Sequence, residues 1–232
     1  MFNLMRLEMK KFKIRGYIIG AMIANVVIVA LLFLMSSFEK SEGNIVVFNS
    51  YDFMLSTVSI FVKGTFIVFA SVLISRFVID EFRTKSITVL FMYPINRKKL
   101  IAAKLLLVVI FTFISIILSD IIVSASISGL DHYFELSPDK LTTDTLVRSS
   151  ISMLMNAIAA TGMSLIPIFI GMRKYSTPAT IVSSLIIVAI VCSNNGGFSL
   201  SNIIAIPIAL AVVGVIIAYL SIRKVERIDL IK

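Results

Sequence analysis

Six long apolar stretches, at residues 16–38, 53–79, 100–128, 147–171, 178–192 and 202–222, take up most of this 232-residue chain. A helix that is apolar on every side has no face to offer water, so a soluble fold is not open to such segments. Crossing a hydrocarbon core takes about 20 residues at the helical rise, and each stretch except 178–192 is long enough. That short fifth stretch fits either a span with little tilt in a locally thinned bilayer, or a re-entrant hairpin formed with the loop after it. A mean hydropathy of +1.01 agrees. The expectation is an all-α integral membrane protein, a single domain over 1–232 with six transmembrane helices.

Charge sets the orientation. Of 22 Lys and Arg residues, 18 fall in segments that an even number of spans puts on one side. Arg6, Lys10, Lys11, Lys13 and Arg15 precede span one, and Arg76, Arg83, Lys85, Arg97, Lys98, Lys99 and Lys104 lie between or just inside spans two and three. Arg173 and Lys174 join spans four and five, and Arg223, Lys224, Arg227 and Lys232 follow span six. By the positive-inside rule these loops and both termini are cytoplasmic. The other side has Lys40, Lys63, Lys140 and Arg148 against seven acids: Glu39, Glu42, Asp52, Asp131, Glu135, Asp139 and Asp144. The net charge of +9 thus reflects membrane orientation, with no case for nucleic-acid binding. No small-residue cleavage site follows Phe38, so span one reads as a retained helix rather than a signal peptide.

Catalytic constellations are missing from the sequence. No Gly-rich turn ends in Gly-Lys-Ser or Gly-Lys-Thr, so the chain has no nucleotide site of the P-loop kind. His132 is the one histidine, and Cys192 the one cysteine; neither makes a metal site, and internal disulfides are excluded. Asp120 is the single acid inside a span, without a second carboxylate for intramembrane hydrolysis. The loops at 39–52, 129–146 and 193–201, the last with an Asn194-Asn195-Gly196-Gly197 turn signal, are too short to fold as a receptor domain. Recognition of a substrate is therefore expected within or beside the spans.

The stretch between spans two and three has more pattern. After Asp80, residues Phe82, Ile87, Leu90 and Phe91 share one helical side while Glu81, Arg83, Lys85 and Thr88 supply polar contacts, and Pro94 stops the helix. On pattern alone this is either a helix lying on the membrane surface with its polar side to the cytoplasm or an ordinary positively charged loop. Before Gly16, Phe2, Met5, Met9 and Phe12 fall in one arc and Arg6, Lys10 and Lys13 in the next, the pattern of an interfacial helix; Leu4 and Leu7 blur it, so a plain basic N-terminus also fits.

An acid at the end of span two, a short Thr-containing helix, the run Leu90-Phe91-Met92-Tyr93-Pro94 and then Asn96-Arg97-Lys98-Lys99 opening span three resembles the permease subunits of type 2 ABC exporters. Lys85-Ser86-Ile87 stands where that family often has a Gly-Thr pair. The resemblance extends over nearly the whole chain. It implies a multi-pass plasma-membrane half-transporter that pairs with a second copy or a related permease. It also implies a coupling helix, with Glu81, Phe82, Arg83, Lys85, Thr88, Leu90 and Pro94, docked on a separate ABC ATPase subunit. ATP and magnesium would bind that partner, leaving this chain no cofactor of its own. Small, loop-poor members resemble subunits that export amphipathic or antimicrobial peptides or protect against them; drugs, sodium or lipids fit the same sequence.

Lys63 and Asp120 are the charges inside spans, each costing on the order of 3 kcal/mol in hydrocarbon. Counted from Arg76 and Lys104 they lie at similar depth, as an ion pair or wet-path marker would. The other reading is that Lys63 snorkels outward and Asp120 bonds Ser119 or Ser124. Gly64, Gly162, Pro167 and Gly171 offer close helix approach or flexing points. An ATP-independent channel or secondary carrier is the competing class; it usually shows several midplane charges or paired broken helices, more than this sequence has.

Overall fold

The computed structural model describes residues 14–42, 51–84, 97–134, 143–192, 194–195, 198–199 and 205–224. The expected interfacial helix ahead of Gly16 and most of the expected coupling helix, with Lys85, Thr88, Leu90 and Pro94, lie outside these residues. Helix α1 runs Ile14–Glu42 and α2 runs Tyr51–Ile74. After α2 comes a π turn at Ser75–Ile79 and then a short helix, α3, at Asp80–Arg83. Next are α4 at Arg97–Phe134, α5 at Thr143–Met163, α6 at Pro167–Lys174, α7 at Thr177–Val191 and α8 at Ala205–Lys224. The only strand pairing among the described residues is a two-residue antiparallel ladder, Asn194 opposite Ser199 and Asn195 opposite Phe198, at the expected turn signal.

Four helical segments are long and apolar enough to cross a membrane: Arg15–Ser37, Tyr51–Arg83, Lys98–Asp131 and Val147–Lys174. They correspond to the first four expected spans. The last two appear as shorter apolar helices, Thr177–Val191 and Pro207–Arg223. At 15 residues, α7 is about 22 Å long, against a hydrocarbon core of about 30 Å.

Two boundaries differ from the sequence reading. The helix of span two does not end at Ile79; Ile79 and Asp80 both have right-handed helical dihedrals, and helix continues through them to Arg83. No Pro or Gly interrupts that stretch. Span four is not one uninterrupted helix, because Pro167 has no N–H to give and α5 ends at Met163. The gap is bridged by tighter i→i−3 bonds, Leu165 N–H to Gly162 O at 3.2 Å and Ile166 N–H to Met163 O at 3.0 Å, before α6 resumes with the proline in its first turn.

The chain divides into two compact units. One comprises Met1–Ile14, Phe66–Phe113 and Ile158–Lys232. Within it Phe66, Ile67, Leu73, Ile74, Phe77 and Ile101 are fully buried. Here α5 and α8 meet backbone to backbone: a Cβ added to Gly162 would come within 2.6 Å of the Ala211 Cβ, and one on Gly214 would strike the Gly162 carbonyl. This is the small-residue contact by which membrane helices gain van der Waals packing. The inward side of α7 has Thr180, Ser183 and Ser184, and the Ser184 hydroxyl lies 2.8 Å from that of Ser71 on α2. The other unit comprises Arg15–Thr65 and Ile114–Ala157; its buried positions include Ile28, Leu32, Met54, Val58, Val62, Ile116 and Val123.

Candidate functional site

Two buried polar clusters, one in each unit, hold Glu81, Lys63 and Asp120 among the expected site residues that the structure describes. In the first unit Lys104, on α4, is 1% exposed and forms an ion pair with Glu81, on α3, which is 7% exposed. The Lys104 ammonium also donates to the carbonyl of Phe77, inside the π turn, at 3.1 Å. One lysine therefore ties α4 to both the turn and the helix after it. Charges this deep in apolar packing are tolerated when paired, and removing one partner of such a pair typically costs about 3–5 kcal/mol.

Neighbouring contacts extend this anchor. The Phe82 ring packs against Tyr175, ring centroids 5.8 Å apart. Tyr175 closes α6 in a left-handed conformation, φ 45°, which turns the chain sharply into α7. Asp80 takes a long hydrogen bond from the Thr177 hydroxyl, 3.5 Å, and lies 3.5 Å from the guanidinium of Arg76 and the same distance from that of Arg83. Both arginines are more than half exposed, so these surface pairs contribute little. The start of the segment after span two is thus seated against the short connection between α6 and α7.

Of the polar residues on the expected cytoplasmic side, Arg83 is exposed but Glu81 is not; it turns inward, where it pairs with Lys104. Sequence reasoning took Lys104 as an orienting charge and missed its partner. The signal was present in the apolar run Leu100-Ile101-Ala102-Ala103-Lys104-Leu105-Leu106-Leu107, where a lysine needs an acceptor.

In the second unit Lys63, on α2, and Asp120, on α4, come together, 2% and 3% exposed. The Asp120 carboxylate accepts a hydrogen bond from the Ser59 hydroxyl and feels the Lys63 charge. Lys63 donates to the Asn156 carboxamide oxygen on α5 at 3.2 Å, and the Asn156 amide is 3.4 Å from the Ser152 hydroxyl. Three helices thus meet at one polar cluster. One Asp120 oxygen, Oδ1, is buried without a hydrogen-bond donor, and Ser124, expected as a possible partner, leaves its own hydroxyl unbonded. Asn156 was not foreseen, since a single amide in a mixed apolar segment has no distinguishing pattern.

The ABC-2 family transporter proteins match over residues 4–190. An uncharacterized Bacillus subtilis (strain 168) protein, YcbO, is 43% identical over 227 residues, covering 98% of this chain and 99% of its own length. No solved structure matches. With the apolar helices and the family match both in hand, the chain belongs to the ABC-2 family of transporter proteins, as a membrane permease component and not the ATPase.

Proposed function

We propose that this chain is the permease half of an ATP-driven exporter: one domain with six spans and both termini in the cytoplasm, paired with a second copy or a related permease. The family implies an ABC ATPase partner, and ATP and magnesium belong on that partner. The cargo is an amphipathic or hydrophobic molecule, foremost an amphipathic or antimicrobial peptide, moved out of the cell or the membrane. The observation that carries the coupling part is the seating of Asp80–Arg83, where Glu81 is held by Lys104 and Phe82 by Tyr175. In this reading the coupling segment, with Arg83, Lys85, Thr88, Leu90 and Pro94, meets the ATPase, while Glu81 and Phe82 hold its root. Closure of the ATPases on ATP pushes the segment, and the rigid root transmits the push to α2 and α4.

Affinity purification of the tagged chain from cells expressing its whole operon should recover a soluble nucleotide-binding subunit, and Arg83→Glu should reduce the yield. Recovery of the chain with no ATPase at all would overturn the proposal. The orientation has its own check in a Cys192→Ser background. An impermeant thiol reagent added to intact cells should label cysteines placed at Glu42, Asp139 and Asn195 and spare those at Lys10, Arg97 and Arg223. Labelling at position 97 would place the coupling segment outside the cell.

A further inference from the structure

The π turn at Ser75–Ile79 has no cause in its own residues. Ser-Arg-Phe-Val-Ile contains neither Pro nor Gly, yet the Asp80 N–H closes on the Ser75 carbonyl, five residues back instead of four. The turn also has a cost. Ser75 is fully buried with its hydroxyl unbonded, while Ser71, Ser183 and Ser184 in the same unit each give their proton to a carbonyl three residues back. What holds the turn comes from α4: Lys104 donates to the Phe77 carbonyl at 3.1 Å and pairs with Glu81 just beyond.

A π turn holds one residue more than an α turn, so each residue after it stands where its predecessor would stand on a straight helix. When the extra residue passes beyond Phe82, the stretch from Asp80 turns by about 100° and each residue takes the place of the one that follows it. Asp80 then occupies the position of Glu81, opposite Lys104, and Glu81 that of Phe82, beside Tyr175. The adjacent acids thus supply a counterion for the buried lysine in both registers, and the flexible four-carbon stem of Lys104 spans the one methylene by which Asp is shorter. Little holds Asp80 where it is. Its hydrogen bond from Thr177 is 3.5 Å long, and its arginine partners, also at 3.5 Å, are more than half exposed. No Pro or Gly between Asp80 and Thr84 opposes the passage.

We infer that this segment is a two-register switch, in which the wide turn migrates from Ser75–Ile79 toward the coupling segment and Asp80 replaces Glu81 as the partner of Lys104. The resting register is the one described, because it also seats Phe82 on Tyr175. This rests on the coupling reading above: the root is rigid within each register, and closure of the ATPases carries it from one to the other.

The test uses the permease with its ATPase in nanodiscs, in a Cys192→Ser background, with a short bifunctional thiol reagent as the probe. The pair Phe82→Cys and Tyr175→Cys should link without nucleotide and lose that link when the complex is trapped with ATP and vanadate. Adding Asp80→Asn should leave thermal unfolding close to that of the parent and keep the link in the trapped complex, since Lys104 then has no counterion in the second register. Deletion of Val78, which leaves no extra residue to move, should also keep it. A link that persists in the trapped parent, or that is lost equally with Asp80→Asn, would overturn the switch. If the trapped parent keeps the link while the complex hydrolyses ATP, only the switch falls; if no ATPase assembles with the permease, the coupling reading falls and the switch with it.

Discussion

Glu81→Gln and Lys104→Met, each alone, are expected to destabilise the permease by about 3–5 kcal/mol, because each leaves the other charge buried without its counterion. The measurement is thermal unfolding of the purified protein, alongside ATP hydrolysis by the assembled transporter. The double variant Glu81→Leu/Lys104→Met separates two roles for the pair. Replacing both members of a buried ion pair by apolar groups is often neutral or stabilising, so stability should return to near the wild-type value. Coupling should not return. The lysine also bonds the Phe77 carbonyl in the π turn, and that tie between α4 and the root of the coupling segment is lost with it. ATP hydrolysis that runs at a normal rate without cargo movement in a stable double variant is the expected result. Full transport by that variant would reduce the pair to a packing feature.

Lys63→Met should be the more damaging change in the second cluster, and Asp120→Asn the milder. Without Lys63, Asp120 retains only the Ser59 hydroxyl as a described donor while its Oδ1 is already unbonded. Without the Asp120 charge, Lys63 still donates to Asn156 at 3.2 Å. The double variant should be less impaired in assembly and transport than the sum of the two, with a coupling energy within the range of about 0.5–3 kcal/mol found for residues in contact. Strict additivity would show that the two charges act separately.

Much of this was legible in the sequence because the bilayer simplifies the code. Twenty apolar residues in a row admit few readings, which is why the first four spans could be placed from the sequence. Lys63 and Asp120 stood out for the same reason, as charges where charges are costly. What the sequence hid depends on angle rather than depth. That Glu81 faces Lys104 instead of solvent follows from the helix continuing past Ile79, and a pattern of apolar residues around Phe82 fits an inward or an outward glutamate equally well. The break at Ser164-Leu165-Ile166 was foreshadowed by Pro167, yet proline alone does not tell whether a helix bends or stops.

The π turn at Ser75–Ile79 makes the direction of the coupling segment a matter of counting. A π turn holds one residue more than the regular helix would, and each residue of an α-helix turns the chain by about 100°. Deleting one residue between Ser75 and Ile79 would preserve the apolar character and nearly the length of the span. Because the wider turn absorbs its extra residue, that deletion would leave a regular α turn and keep Glu81 and Phe82 facing Lys104 and Tyr175. Relatives with one residue fewer within this turn should keep the same basic and aromatic anchors on a plain α-helix, whereas a deletion in the helical residues on either side would rotate Glu81 and Phe82 by about 100° and require the anchors to move.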